Sequence, residues 1–272
     1  MRISARIPVA AALLLVLAST MGCTKLKERN QLVQGINAFK AGKYEVAIDY
    51  FQKAVAIDPN DSMAQLYLAT AYSYQVVPNL DTPDNLKIAQ KALDGFNAVL
   101  AKDPNDLGAL KQIASIHHNI KLYDQAIADE KKVISLDPKD GDAYYTIGNI
   151  EWNQSYKNAT TILGAAGLTD DGDGNVKMSK DVCAKITAAN GTLVADTIQN
   201  LQKAIDINSN NDNALDMLNL AYRRKADLDC GNDAQRKADL AKADSLVQQA
   251  TGARKANEAA KEKKLGGGIS MQ

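Results

Sequence analysis

Few residues of this 272-residue sequence combine the types and spacing that chemistry needs. The densest group is Thr169-Asp-Asp-Gly-Asp-Gly-Asn-Val176. Asp171, Asp173 and Asn175 alternate, and Gly172 and Gly174 permit tight turning, so several oxygens could converge on one hard cation such as calcium. The same residues also make an ordinary solvated turn, and both readings stand at this level. His117 and His118 are the only histidines. Adjacent helical residues point about 100° apart, which makes a poor pair of metal ligands. No nucleophile motif, metal-ligand cluster, P-loop or dinucleotide fingerprint is present. The sequence thus predicts a protein that is not an enzyme, with no cofactor beyond the calcium option.

The composition says what must hold these residues. Hydrophobic residues make up 46% and charged residues 24%, the balance of a folding chain. Lys and Arg number 32 against 32 Asp and Glu, which excludes a strongly basic nucleic-acid surface. Aromatics are only 5%, and Ala and Leu are abundant, a mixture suited to close-packed helices.

The first residues read as an address. Arg2 and Arg6 precede a short apolar run from Val9 to Ala18, then Ser19-Thr-Met-Gly22 and Cys23. This is a secretory signal, too short for a spanning helix. The Gly22-Cys23 ending resembles a bacterial lipoprotein signal, although Thr20 stands where that family favours Leu. The resemblance implies removal of residues 1–22, acylation of Cys23 and a short linker over 23–27. Several acyl chains would anchor the protein stably. Thr24 rather than Asp after the cysteine implies the outer membrane, facing the periplasm. Ordinary cleavage, giving a soluble periplasmic or secreted protein, and a retained membrane anchor are the alternatives. Removing residues 1–22 leaves 30 basic against 32 acidic residues, a net charge of −2.

Internal repeats organise the rest. Gly35, Gly42, Tyr44, Ala47, Phe51, Ala54 and Pro59 have the offsets of a helix-pair unit, and the pattern recurs as Ala114, Tyr123, Ala126 and Pro138. This chain resembles the tetratricopeptide repeat family. The resemblance implies an all-α, right-handed superhelical solenoid of antiparallel helix pairs. About five repeats are expected, over 28–61, 62–106, 107–140, 141–211 and 212–260, with a disordered tail over 261–272. An ordinary helical bundle is the alternative. Small residues such as Gly35 and Gly148 should admit a neighbouring helix, and Phe51 and Phe96 should fill the space between units.

Two repeats carry insertions. Val76 to Leu86 (VVPNLDTPDNL) reads as a rigid turn-rich loop, either a surface extension or a partner-contacting lid. The longer insertion, 155–191, holds the Asp-Gly segment and a short helix from Ser179 to Asn190. The Asp-Gly segment faintly resembles a calcium loop of the EF-hand or dockerin kind. It departs from that pattern at Thr169, the first ligand position, and at Lys180, where the closing acid belongs. In the repeat register Cys183 and Cys230 fall at the same end of the stack. An exported compartment favours oxidation, so either a disulfide or two free thiols is expected there.

In this family the first helices line a concave face that grips a peptide or partner helix. By register that face should hold Tyr74, Lys111, Ser115, His118, Asn119, Tyr145, Asn149, Trp152, Asn153, Asp216 and Arg223. Aromatic and arginine side chains of this kind anchor interfaces. Trp152 packing under the long insertion is the competing reading for that residue. Leu32 and Ile36 occupy the places where a carboxylate clamp needs Lys and Asn, so a chaperone-tail ligand is disfavoured. The sequence therefore points to a monomeric adaptor of the bacterial envelope that binds a protein or peptide, in outer-membrane or pilus assembly. A periplasmic ligand-sensing module, with the insertion as a lid over Trp152, is the alternative.

Overall fold

The computed structural model describes the backbone of residues 9–266 and the side chains of residues 24–263. Residues 1–8 and 267–272 lie outside the described residues, as does the side chain of Cys23, the expected acylation site. Every regular element among the described residues is a helix. They are α1 (Val9–Lys40), α2 (Tyr44–Ile57), α3 (Ser62–Ser73), α4 (Pro83–Lys102), α5 (Leu107–Asn119), α6 (Tyr123–Leu136), α7 (Gly141–Ala165), α8 (Lys180–Ile207), α9 (Asp212–Ala226) and α10 (Asp233–Gly266). No helix among the described residues is long and apolar enough to cross a membrane.

The chain divides into two compact units, Met1–Ala126 and Ile127–Gln272, with the division inside α6. In the first, successive helices pack in order, α1 on α2, α2 on α3, α3 on α4 and α4 on α5. Its core runs through Ala47, Phe51, Ala54, Ala69, Ala92, Phe96 and Ala114, all fully buried or nearly so. The small-against-large pairing expected from the repeat is visible at Gly35. A Cβ there would lie 2.4 Å from the Phe51 ring, so only glycine lets α1 approach α2 this closely.

In the second unit α7 packs on α8, α8 on α9 and α9 on α10. Gly148 repeats the device, since a Cβ on it would meet Leu201 at 2.7 Å. The helices stop where the turn residues dictate. Asp61, Asp106, Asp140 and Asn211 each accept a hydrogen bond from a backbone N–H in the first turn of the helix they precede. Such caps satisfy donors that the helix itself leaves unpaired.

Four sequence expectations are corrected. Most of the 155–191 insertion is helix, because α7 and α8 are each extended and paired through buried Ser155, Ala159, Leu163, Val182, Ile186 and Asn190. The separate short helix from Ser179 is the beginning of α8. Residues 24–27 are helical and belong to α1, so they are not a linker. Lys25 fixes them, reaching Asp58 at 3.0 Å and Asp61 at 3.4 Å. At the other end α10 continues to Gly266, through the part of the expected disordered tail that is described.

Candidate functional site

The residues expected on one partner-binding face fall into both units, and their surroundings differ. In the first unit Tyr74, at the end of α3, is 57% exposed. Its ring meets Phe39 edge-on at 5.0 Å and Tyr44 at 5.2 Å, and Phe39 and Tyr44 are 5.3 Å apart. Gln112, Ser115 and Asn119 lie three and four residues apart on α5 and so share one face. With Ser73, Tyr74, Val76 and Ile116 they line a cleft of about 310 Å³. Lys111 is exposed, and His118 is half-buried, with burial lowering its pKa. The His118 ring stands 5.9 Å from that of Tyr123. Tyr74, Ser115 and Asn119 are thus brought together as expected residues of one cleft. Phe39, Tyr44 and Gln112 were missed. The repeat pattern assigns Tyr44 to packing and carries no signal that its ring also meets Tyr74, at a tilt of 38°.

In the second unit the selected side chains are engaged within the chain. Arg223 donates to Asn219 Oδ1 at 3.1 Å, the Gly172 carbonyl at 3.2 Å, Asp173 at 3.0 Å and Asp244 at 2.7 Å. Asp216 receives Arg254 of α10 at 2.5 Å. Asn153 donates to the Asn149 carbonyl and to Asn149 Oδ1, at 2.8 and 3.1 Å. Trp152 is half-buried, stacked on Tyr156 at 5.2 Å, and packs with Tyr145 against the Leu201, Leu215 and Leu218 cluster. Burial, then the charge of Asp216, raises the Tyr145 pKa. The indole Nε1–H of Trp152 is buried and has no acceptor among the described residues.

The oxygens of the Asp-Gly segment are used by protein donors. Asp171 Oδ1 accepts the N–H groups of Asp173 and Asn175, both at 2.9 Å. Asp173 accepts Arg223, and Asn175 Nδ2 donates to Asp227 at 2.8 Å. Arg224, only 4% exposed, lies between Asp170 at 2.5 Å and Asp227 at 2.7 Å. Of the residues that the sequence offers to calcium, Asp173 thus meets a guanidinium, while Asp171 and Asn175 bond within the segment and to Asp227; no group of three or more His, Cys, Asp or Glu placed to hold a metal occurs among the described residues. The resulting knot holds the insertion to α9. Asp227 is fully buried, and that burial pushes its pKa up to about 7 against the pull of Arg224. At Asp170 burial is again the largest single influence, but the bond and charge of Arg224 together with the bonds from Gly172 and Asn175 outweigh it, and the pKa falls.

Beside this knot Cys183 and Cys230 are joined in a disulfide with their Cα atoms 5.9 Å apart. It ties the first turn of α8 to the turn between α9 and α10. With Gly174, Val176, Met178 and Arg236 it borders a second cavity of about 270 Å³.

Comparison with known proteins bears on these helix pairs. Family descriptions given as tetratricopeptide repeat match residues 31–61 and 109–140. These two segments of the chain match the tetratricopeptide repeat. A DnaJ homolog subfamily C member 7 homolog from Schizosaccharomyces pombe is 30% identical over 116 residues. That match covers 42% of this chain, which spans only 22% of the relative's length. A crystal structure of MamA superposes with a TM-score of 0.53 at 17% identity, covering 90% of this chain and 97% of that one. MamA 41-end from Desulfovibrio magneticus RS-1 gives 0.52 at 18% identity, covering 82% and 96%. At these identities the likeness is one of fold: an all-α array of tetratricopeptide helix pairs.

Proposed function

We propose that this tetratricopeptide-repeat chain is a non-enzymatic scaffold that binds an extended segment of a partner protein at the cleft of its first unit. The observation that carries this reading is the exposed Tyr74 ring, clustered with half-buried Phe39 and Tyr44, beside the Gln112, Ser115 and Asn119 face. Aromatic rings supply apolar contact at low entropic cost, and amides and hydroxyls can pair with the free N–H and C=O groups of an extended backbone. Further support comes from the fold, since stacked helix pairs present extended surfaces that suit such ligands. The signal-like start and Cys23 support an exported protein, acylated at that residue and held at the bacterial cell envelope. Assembly of outer-membrane proteins or pili fits that address.

Selection of a random peptide library on the immobilised chain, followed by titration of the best binder, tests the reading. Binding that Tyr74→Ala and Asn119→Ala each weaken about tenfold, with unchanged thermal stability, is the expected result. Binding that neither substitution alters would refute a role for the cleft. Intact mass of the exported protein beside Cys23→Ala tests the address: a wild type without acyl chains would remove the anchor.

A further inference from the structure

The loop between α3 and α4 has a feature that the repeat pattern does not require. It holds half-exposed apolar side chains at a fixed place. Val77 is 51% exposed and Leu80 is 40% exposed. A loose loop would be free to fold such side chains away. This one is tied by Asn85, a buried side chain in the first turn of α4. The Val77 N–H donates to Asn85 Oδ1 at 2.8 Å, and Asn85 Nδ2 donates to the carbonyls of Val77 at 3.0 Å and Leu80 at 2.6 Å. One amide thereby satisfies three backbone groups across the loop. Thr82 caps α4 and Pro83 starts it, so the exit from the loop is fixed as well.

A further bond sets the position of the loop. The Asn79 N–H donates to the Asn119 carbonyl at 2.8 Å, at the end of α5. Asn79 adopts a φ of 63°, a left-handed conformation that asparagine tolerates better than most residues. Val76, next to the exposed pair, is buried and lines the cleft with Tyr74 and Asn119. The loop is therefore a rim of that cleft. Because it is already ordered, apolar contact made there by a ligand is not spent on ordering it. The loop also carries charge of one sign. Asp81 in the loop and Asp84 in the first turn of α4 are exposed and have no cation paired with them among the described residues; the loop itself holds no basic residue, and the next one along the chain is Lys87.

We propose that the 74–82 loop is the specificity-determining edge of the cleft, selecting extended peptides in which an apolar side chain stands next to a Lys or Arg. Val77 and Leu80 take the apolar side chain, and Asp81 with Asp84 meets the cation. This rests on the peptide-binding reading above, which it narrows to a class of partner sequence.

The test uses the full chain. A random peptide library is selected on wild type and on Asp81→Lys/Asp84→Lys, and the best wild-type peptide, labelled with fluorescein, is titrated by anisotropy. The expected wild-type consensus pairs an apolar residue with Lys or Arg. The charge-reversed chain should select Asp or Glu at the cationic place. Val77→Ser/Leu80→Ser should weaken the labelled peptide about tenfold or more, with the chain still folded by circular dichroism and only a small fall in melting temperature, since about half of each side chain is already exposed. Equal affinity in this double variant, alongside loss in Tyr74→Ala, would overturn the loop's role while leaving the cleft as a binding site. A consensus without basic residues would overturn the role of Asp81 and Asp84. Failure of every peptide to bind wild type would remove the underlying reading, and this proposal with it.

Discussion

The two units use the same helix-pair construction and differ in how far their polar faces are tied down: the first-unit bonds are local, from Ser73 to Gln112 and between His118 and Asn119, while those of the second reach distant segments. In the first, Tyr74, Ser115 and Asn119 border a cleft beside clustered rings. In the second, the corresponding selection of Asp216, Arg223 and Asn153 is spent on bonds to α10, to the insertion and to a neighbour on the same helix. Register thus decides which way a side chain points. Whether it remains available to a partner depends on what distant segments bring to it. Here the long insertion and the last helix arrive at the second unit and consume the polar groups that register alone would leave open.

The largest expected effect on this contrast comes from Arg224→Ala. It would leave Asp170 and the fully buried Asp227 facing each other without a cation. Breaking a buried ion pair from one side costs about 3–5 kcal/mol. Thermal or urea denaturation should show that loss, together with exposure of the 168–179 segment to limited proteolysis. An unchanged melting temperature would show that the knot does not hold the insertion.

Next is the covalent tie. Cys183 and Cys230 enclose a sequence separation of 47. Chain entropy for a loop of that size corresponds to about 4 kcal/mol, within a measured range of about 0–5. Cys230→Ser should lower the melting temperature of the non-reduced protein, and reducing agent should then have no further effect on it. If peptide mapping without reduction recovered both cysteines unlinked, the tie would be absent.

A smaller effect, and one with a sign, follows from Asp227. Burial first, opposed by Arg224 and Asn175, raises its folded pKa to about 7, above its ordinary value. The folded state then binds a proton that the unfolded state has already lost, so this group's contribution falls as pH rises from the unfolded pKa towards 7. Asp227→Asn imitates the protonated form in shape and charge. Its stability relative to wild type should therefore improve between about pH 4 and pH 7 and level off above. Asp229 strengthens the same trend in the wild type, since burial and then the Asp239 carboxylate raise it to about 6. A difference that stays flat across this interval would show Asp227 to be ionised throughout.

The smallest effect on stability is expected in the first unit. Val77→Ser/Leu80→Ser should lower the unfolding free energy by no more than about 2 kcal/mol, because about half of each side chain is already exposed. A larger loss would mean that those side chains support the loop instead of waiting for a ligand.

Much of the architecture was legible because its causes are local and periodic. Gly35, Phe51, Ala47 and Pro59 announce one helix pair, and Ala114, Ala126 and Pro138 another. The Val76–Leu86 insertion reads as a turn-rich loop because its prolines and asparagine act on their own backbone, although the loop ends at Thr82 and Pro83 starts α4. The lengths of α7 and α8 were less legible, since Gly164, Gly167 and the Asp-Gly segment suggest a break wider than the short link the structure contains. The candidate site was legible only in part. Tyr74, Ser115 and Asn119 follow from register, whereas their meeting with Phe39 and Tyr44 depends on packing between helices. The Asp-Gly segment was legible as a turn, but not the partners it meets. Its carboxylates have cation-binding spacing, and only the fold reveals that Arg223 and Arg224, about fifty residues away, supply the positive charge.

Hydrogen–deuterium exchange of the full chain, with and without a peptide selected on wild type, tests the contrast between the units most directly. Slowed exchange confined to residues 73–86 and 112–119, with 145–153 and 216–223 unchanged, is the expected result. Protection of the second pair of segments with none in the first would contradict it, placing the partner on the unit whose side chains are already engaged.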